Sequence, residues 1–483
     1  MQLKRPILVG GLGLSASLWL LTIVGHSPVG HALGDGSALM MAIALSTGLW
    51  FVNKRKKAEL VIEPPLALQS VDRSAVEKVT TAIETTLAKV IDELSEEAQN
   101  DQSQSIWNQL EQKKEAIANL LSNLDRDKLT LSIVGNKSTG KTTLAAYLSG
   151  QWQPTCSQIE YITEVNGEDT LPATETDLVL FVTAGDLTQS ELKRIQTLLK
   201  AGYRTQIIFN KQDQLTPADR QSVIAKIQTR VEELGIGVSA IAAHPNPIKV
   251  RRHQENGEIE EFTEQPEPQL SSLTDRLTYL AKEETEQLVL TTTLRQAKAL
   301  LTDTQTLLNT QRKQKSMPVV EQMQWIAAGS AFASPLPSLD LLASTAINAQ
   351  MIVDLGAVYG QSFSMEQAKK AAGTLAELLV KLGLVELSTQ VLGSLLKTHA
   401  ATYVAGGALQ GVSAAYLTRM VGLSLIEFFE EQSLLPEEKR TFAFGEMGDR
   451  LQSIFRATKQ SAGLQAFVQQ AVKHLPAAKT AAA

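Results

Sequence analysis

The chain reads as α/β joined to all-α: a parallel sheet with helices on both faces, an N-terminal transmembrane hairpin, a long helical stalk and a C-terminal apolar helical domain. Three observations predict this. Residues 129–150, LTLSIVGNKSTGKTTLAAYLSG, pass from an apolar strand through a glycine-bearing turn into a helix. From about residue 128, short apolar runs alternate with helical patterns, as the crossovers of a parallel sheet require. Two long uncharged runs stand at the N-terminus, and a charge-poor Ala, Gly, Leu and Val region fills about 317–429.

At 483 residues the chain is too long for one ordinary core. Composition shifts divide it into 1–57, a two-span hairpin; 58–126, a helical pair; 127–265, the α/β domain; 266–316, a long connecting helix; 317–430, the apolar helical domain; and 431–483, a last helix and tail. A net charge of −6 and no basic-aromatic stripe give no reason to expect a nucleic-acid partner. The single cysteine, Cys156, excludes an intrachain disulfide and fits a small buried residue in a reducing compartment.

After Lys4 and Arg5, the run PILVGGLGLSASLWLLTIVG has about twenty residues without charge, enough to cross a bilayer. A turn-rich segment leads to a second run, ALMMAIALSTGLWFV, closed by Asn53-Lys54-Arg55-Lys56-Lys57. Basic residues flank the outer ends and none lies in the loop, so both ends are expected on the cytoplasmic side. Trp50 and Phe51 suit an interfacial aromatic belt. A basic start and apolar core also fit a cleaved signal peptide, but the A-x-A at Ala42-Ile43-Ala44 lies inside the second apolar run rather than after the first, and the second run would stop transfer. Either way the α/β domain is expected on the cytoplasmic side of an integral membrane protein, with membrane lipid as a partner.

Glu63-Pro64-Pro65 is a linker, and residues of about 72–98 and 103–124 show helical spacing, predicting an antiparallel pair. The strands LTLSIV, SQIEYIT, DLVLFVT, TQIIFN and GIGVSAIAA follow, with helices ELKRIQTLLKAG and PADRQSVIAKIQTRVEELG between them. IKVRRHQENGEIEEF predicts a hairpin turning at Asn256-Gly257, on which Lys249, Arg251 and Arg252 form a solvated basic face. One long helix is expected from about 271 to 313, packed on the earlier pair.

Gly135, Gly140, Lys141 and Thr142 fit G-x-x-x-x-G-K-[ST], the phosphate loop of the P-loop NTPase arrangement. Such a loop wraps phosphates with backbone N–H groups and a helix N-terminus, so the chain must bend closely around the anion. The candidate nucleotide-binding residues are Gly135, Asn136, Lys137, Ser138, Thr139, Gly140, Lys141, Thr142 and Thr143. Lys141 is expected to reach the β- and γ-phosphates and the Thr142 hydroxyl to ligate Mg²⁺.

After the strand TQIIF stands Asn210-Lys211-Gln212-Asp213, and here the chain resembles the Era-like branch of the P-loop GTPases, whose N-K-x-D follows a buried strand. The resemblance implies GTP with Mg²⁺ as cofactors. Asp213 would accept two hydrogen bonds from guanine, Asn210 would tie the base loop to the phosphate loop, and the Lys211 stem would cover the ring. The family's S-A pair matches Ser239-Ala240 in letters, whereas Ala242-Ala243 are better placed after the strand. No D-x-x-G lies in QWQPTCSQIEYITEVNGEDTLPATET, which leaves Thr155 as a switch threonine and Glu164 or Asp169 as a substitute acid. Ser138 stands where potassium-dependent relatives carry asparagine. A sheet short by one strand, a blunted second switch and slow intrinsic hydrolysis are the expectation.

The runs PLPSLD, QMIVDLGAVYG and AGGALQGVSAAYLTR resemble the YcjF-like domain of unknown function, the 697 family, found behind Era-like GTPase domains in cyanobacterial and related membrane-associated proteins. Pro335, Pro337, Asp340 and Arg419 interrupt its apolar runs. A bundle packed on itself or lying on the bilayer is therefore expected ahead of one that spans it. Together these resemblances imply a membrane-anchored GTP-binding switch, served by a protein activator or by self-association. A degenerate nucleotide-binding scaffold and a dynamin-like remodelling GTPase are the alternatives.

Overall fold

Runs such as LTLSIV and LVLFVT carry apolar side chains in both directions, which suits strands buried on both faces. In the computed structural model they are β1 (Leu129–Gly135) and β3 (Leu178–Thr183), both inside the sheet. With β2 (Ile159–Glu164), β4 (Thr205–Phe209) and β5 (Val238–Ala240) they make a five-stranded, fully parallel sheet in the order β2-β1-β3-β4-β5. The structure describes residues 66–95, 101–153, 158–165, 167, 170–253, 259–333, 337–397, 406–435, 439–459 and 462–474. All of them fall within one compact unit, Pro65–Ala483. The two N-terminal apolar runs, the basic cluster behind them, Thr155, Cys156, Asp169 and the Asn256-Gly257 turn lie outside the described residues.

Before the sheet, α1 (Arg73–Ser95) and α2 (Asp101–Ser122) bury the apolar stripes that their spacing predicts, with Ile83, Leu87 and Val90 in one core with Leu110 and Ile117. Within the sheet unit, α3 (Lys141–Tyr147) follows the glycine-lysine loop. Next come α4 (Gln189–Lys200), with a Thr188–Glu191 capping box, and α5 (Pro217–Val231), capped by Thr216 with proline in its first turn. The strands alternate their burial. Leu131, Ile133, Leu180 and Val182 share a core with Leu144 of α3 and Leu273 and Leu277 of α6 (Ser271–Glu283). Val134, Val179, Phe181 and Phe209 share one with Ile195 of α4 and Ile227 of α5. The hairpin strands β6 (Ile248–His253) and β7 (Ile259–Glu264) pair antiparallel, and exposed Arg251 lies 2.6 Å from Glu261 on its solvated side.

The connecting helix differs from the expected single rod over 271–313. It breaks at Glu284 (φ −118°, ψ 9°), whose carboxylate stands 3.7 Å from Arg204 and 3.6 Å from Arg276. It then restarts as α7 (Thr285–Ala333), 49 residues long, and crosses the border expected at 316/317. Pro318 does not end α7, although an interior proline costs about 3 kcal/mol. Burial of Val320, Met323, Ala327 and Ala331 along the following turns offsets that cost. At its other end α7 covers the α1–α2 pair with Ala297, Leu307 and Leu308, as the pattern predicts.

Beyond α7 the chain is helical: α8 (Pro337–Val358), α9 (Met365–Lys381), α10 (Leu384–Lys397), α11 (Gly406–Ser433), α12 (Gly448–Lys459) and α13 (Ala462–His474). One core joins them to α7, and the expected separate tail belongs to it through Met447, Leu451, Phe455 and Phe467. Among the described residues one stretch, Leu409–Ser433, is long and apolar enough to cross a membrane, with mean hydropathy 1.3. Most of it is buried inside the protein, and α11 is the bundle's inner helix. At Gly422 the neighbouring helices come so close that a Cβ would lie 2.7 Å from Val320 Cγ2 and 3.1 Å from Met351 Sδ. Gly422→Leu is expected to destabilise the bundle by about 1–3 kcal/mol, read from the denaturant midpoint.

Candidate functional site

Every strand of the sheet points its carboxyl end the same way, so the loops that leave those ends meet along one edge. Gly135 closes β1, and Lys141 opens α3 six residues later with its first-turn N–H groups without intrahelical partners. Between them Ser138 (φ 61°) and Gly140 (φ 92°) adopt left-handed backbone. Gly140 is required: a Cβ there would sit 2.3 Å from Asn210 Nδ2. The Thr139 hydroxyl donates to Asn136 O at 3.0 Å, and buried Lys141 Nζ donates to the same carbonyl at 2.9 Å. Lys137, Ser138, Thr142 and Thr143 are exposed along the rim, and Asn136 is half-buried. The ammonium, hydroxyls and helix start converge on one concave turn, a donor set for an anion.

Asn210 follows β4 and is buried. Its Nδ2 donates to Thr139 O at 2.9 Å, and its Oδ1 accepts from the Ala243 N–H at 3.0 Å. The side chain therefore joins the glycine-lysine loop, the β4 loop and the segment after β5. Lys211 has left-handed backbone (φ 63°), which turns the chain sharply toward Asp213. Asp213 accepts through Oδ2 from the Asn246 N–H at 2.9 Å, while its Oδ1 is buried with no hydrogen-bond partner. A buried unpaired acceptor costs about 1–3 kcal/mol, so it marks a place where a donor is wanted. Ser239 and Ala240 lie within β5, and the Ala243 N–H is the backbone group that donates to the Asn210 side chain.

The acid comes from β2. Because β2 lies parallel to β1, its last residue, Glu164, ends beside the glycine-lysine loop. The Thr142 hydroxyl donates to Glu164 Oε1 at 3.2 Å. Glu164 opens Glu164-Val165-Asn166-Gly167, the spacing of D-x-x-G with an acid one carbon longer. Of the two substitute acids that the sequence offers, Glu164 is the one that stands beside the loop, and Asp169 lies outside the described residues. Val165 N–H donates to Ile133 O at 2.9 Å, and Arg194 of α4 donates to Gly167 O at 2.7 Å, so both ends of the motif are held.

The chain that follows Gly167 is read by α7. Arg295 donates to Thr174 O and to Thr176 O, both at 2.8 Å. Gln296 donates to Thr174 O at 2.9 Å, and Thr292 to Thr176 O at 3.3 Å. The Arg295 guanidinium lies 3.7 Å from the ring centre of Tyr203, whose hydroxyl donates to Pro172 O at 2.8 Å. Burial holds the Arg295 guanidinium below its ordinary value and pushes the Tyr203 phenol above its own. Farther along α7, Arg312 donates to Glu93 of α1 at 2.8 Å and to Tyr359 O of the bundle at 3.1 Å. One continuous helix thus touches the segment after Gly167, the α1–α2 pair and the helical bundle.

No curated protein matches the chain. The parallel sheet with helices on both faces is compatible with a P-loop-like domain. Residues 295–462, from Arg295 on α7 to the first residue of α13, match the family model of DUF697, a domain of unknown function, so the C-terminal bundle is a DUF697 domain that begins on the helix gripping the sheet unit.

Proposed function

We propose that this chain is a membrane-anchored GTP-binding protein, a slow GTPase whose nucleotide state is passed along α7 to the DUF697 bundle. One observation carries the reading above others: Asn210 bonds at once to the glycine-lysine loop and to Ala243, so the anion cradle and the base-reading loop form one unit. The residues present fit a magnesium nucleotide. Lys141 and the first turn of α3 face the phosphate position, and the Thr142–Glu164 pair offers oxygen ligands for a hard cation. The unpaired Asp213 Oδ1 offers an acceptor to the N–H groups of guanine. When bound, Mg²⁺ would supply neutralisation of phosphate charge. Adenine presents no matching pair of donors to a carboxylate.

Slow turnover follows from the motif. A glutamine amide orients the attacking water in small GTPases, whereas Glu168 follows Gly167 in this sequence. A live switch is favoured over a scaffold by Glu164, which supplies the acid where none of the form D-x-x-G exists. Glu164→Gln keeps an acceptor for Thr142 but removes the charge. It is expected to weaken the Mg²⁺ dependence of nucleotide binding by about tenfold with the fold intact. Titrations of the full chain across Mg²⁺ concentrations check this, and wild-type Mg²⁺ dependence in the variant would remove Glu164 from the site.

Membrane anchoring rests on the two uncharged runs within residues 1–57 and the basic cluster that closes them. Deleting residues 1–57 is expected to move the protein from the pelleted membrane to the supernatant. Retention in the pellet would shift the anchor to another part of the chain. The first experiment is selective: GTP, GDP and ATP titrated with Mg²⁺ into the purified full chain, followed by phosphate release. GTP preference with measurable release supports the switch, and equal affinity for ATP would overturn the reading of Asp213.

A further inference from the structure

The DUF697 bundle holds a second site, unrelated to the phosphate loop. Close-packed interiors leave few voids larger than a water molecule. Here α7, α8, α9, α10 and α11 surround a cavity of about 500 Å³. That volume lies in the range of cavities that take a small organic ligand. Aliphatic side chains share its wall with hydroxyl and amide groups, among them those of Ser330, Asn348, Thr389 and Ser413, and none of the described lining residues carries a charge.

Two of these polar groups point to an occupant. Asn348 Oδ1 and Ser413 Oγ are buried and have no hydrogen-bond partner, and their residues are only 6% and 7% exposed. Each stands on a different helix, α8 and α11, and both line the cavity. An unsatisfied acceptor in an apolar bundle is costly unless something in the cavity donates to it. An ionised head is disfavoured, because the described wall residues offer no counter-charge. At the opposite extreme of exposure stand Val380 (67%) and Val385 (38%), on either side of the α9–α10 turn, and both also line the cavity. Exposed valines on one side of the lining and buried unpaired polar groups on the other suit a molecule with a hydroxylated, uncharged head and one apolar chain.

We propose that this cavity binds a neutral single-chain amphiphile of the monoacylglycerol class, head inward against Asn348 and Ser413 and chain outward past Val380 and Val385. The proposal stands independently of nucleotide binding. The test uses the full chain mixed with phosphatidylcholine vesicles that carry a monoacylglycerol with a photoactivatable diazirine in its chain. Cross-linked peptides are mapped by mass spectrometry. Labelling is expected in the α9–α10 turn or on α11 near Ser413, displaced by unlabelled 1-monooleoylglycerol and not by oleate, whose head is ionised.

Ala414→Phe places a ring in the cavity and is expected to cut the displaceable label by about tenfold or more. Asn348→Leu keeps the volume, removes the acceptor and is expected to lower the label by about three- to tenfold. Melting curves check that each variant folds, and Asn348→Leu decides the matter if the phenylalanine is not tolerated. Labelling insensitive to both substitutions overturns the proposal. So does equal displacement by oleate, or no label in the bundle.

Discussion

Lys141→Ala is expected to lower GTP affinity by about 100-fold or more while leaving the melting temperature nearly unchanged. The ammonium is buried in the glycine-lysine loop, yet its partner is only the Asn136 carbonyl, an acceptor that can turn to water when the side chain is removed. Its loss therefore costs the fold little. For a bound triphosphate Lys141 is the buried cation of the loop, Lys137 being exposed, and truncating one side of a desolvated charge pair costs about 2–5 kcal/mol, or about 30- to several thousand-fold in affinity. Calorimetric titration of the full chain with GTP and Mg²⁺ checks the size of the effect. Undiminished affinity in a folded variant would mean that the phosphates are held elsewhere and would sink the proposed site.

The second large effect is a change of preference rather than a loss. Asp213→Asn is expected to weaken GTP by about 100-fold and to strengthen xanthosine triphosphate by a similar factor. The carboxylate is fixed on one side by the Asn246 N–H, which leaves buried Oδ1 to face the base. Guanine offers two donors where xanthine offers one donor and one acceptor, so an amide in place of the carboxylate exchanges which base leaves a group unpaired. Sites that read a base by hydrogen bonds discriminate strongly because the wrong ligand strands a buried polar atom. Competition binding with the two nucleotides measures the exchange. A variant that keeps the GTP preference would place base reading on other atoms. That result would still leave Lys141 testable on its own.

The two variants also separate failure modes. Lys141 tests whether a phosphate is bound, and Asp213 tests which base accompanies it. Arg295 and Gln296 lie beyond both, on the helix that holds the segment after the acid motif. Their contacts give the proposed switch a physical route: movement after Gly167 must either break those hydrogen bonds or carry α7 with it. The DUF697 match starts at Arg295, so the bundle's first helix is also the one hydrogen-bonded to the segment before β3.

Much of this was legible in the sequence, because it depends on local pattern. Continuous apolar runs define strands, helical spacing defines the helices between them, and Gly140-Lys141-Thr142 follows a strand, all within a few residues of one another. The spacing alone thus determined the five strands, the loop between β1 and α3, and the apolar character of the C-terminal bundle. Tertiary structure decided what depends on residues far apart in the chain. Glu164 becomes the partner of Thr142 only because β2 pairs parallel with β1, and Ala243 rather than Ala240 meets Asn210 only because β5 ends where it does. Pro318 is tolerated within α7 because burial against the bundle outweighs a local rule, a balance that no window of sequence contains. The unpaired Asn348 and Ser413 share a cavity through the packing of α8 against α11, which brings together side chains that the sequence keeps 65 positions apart.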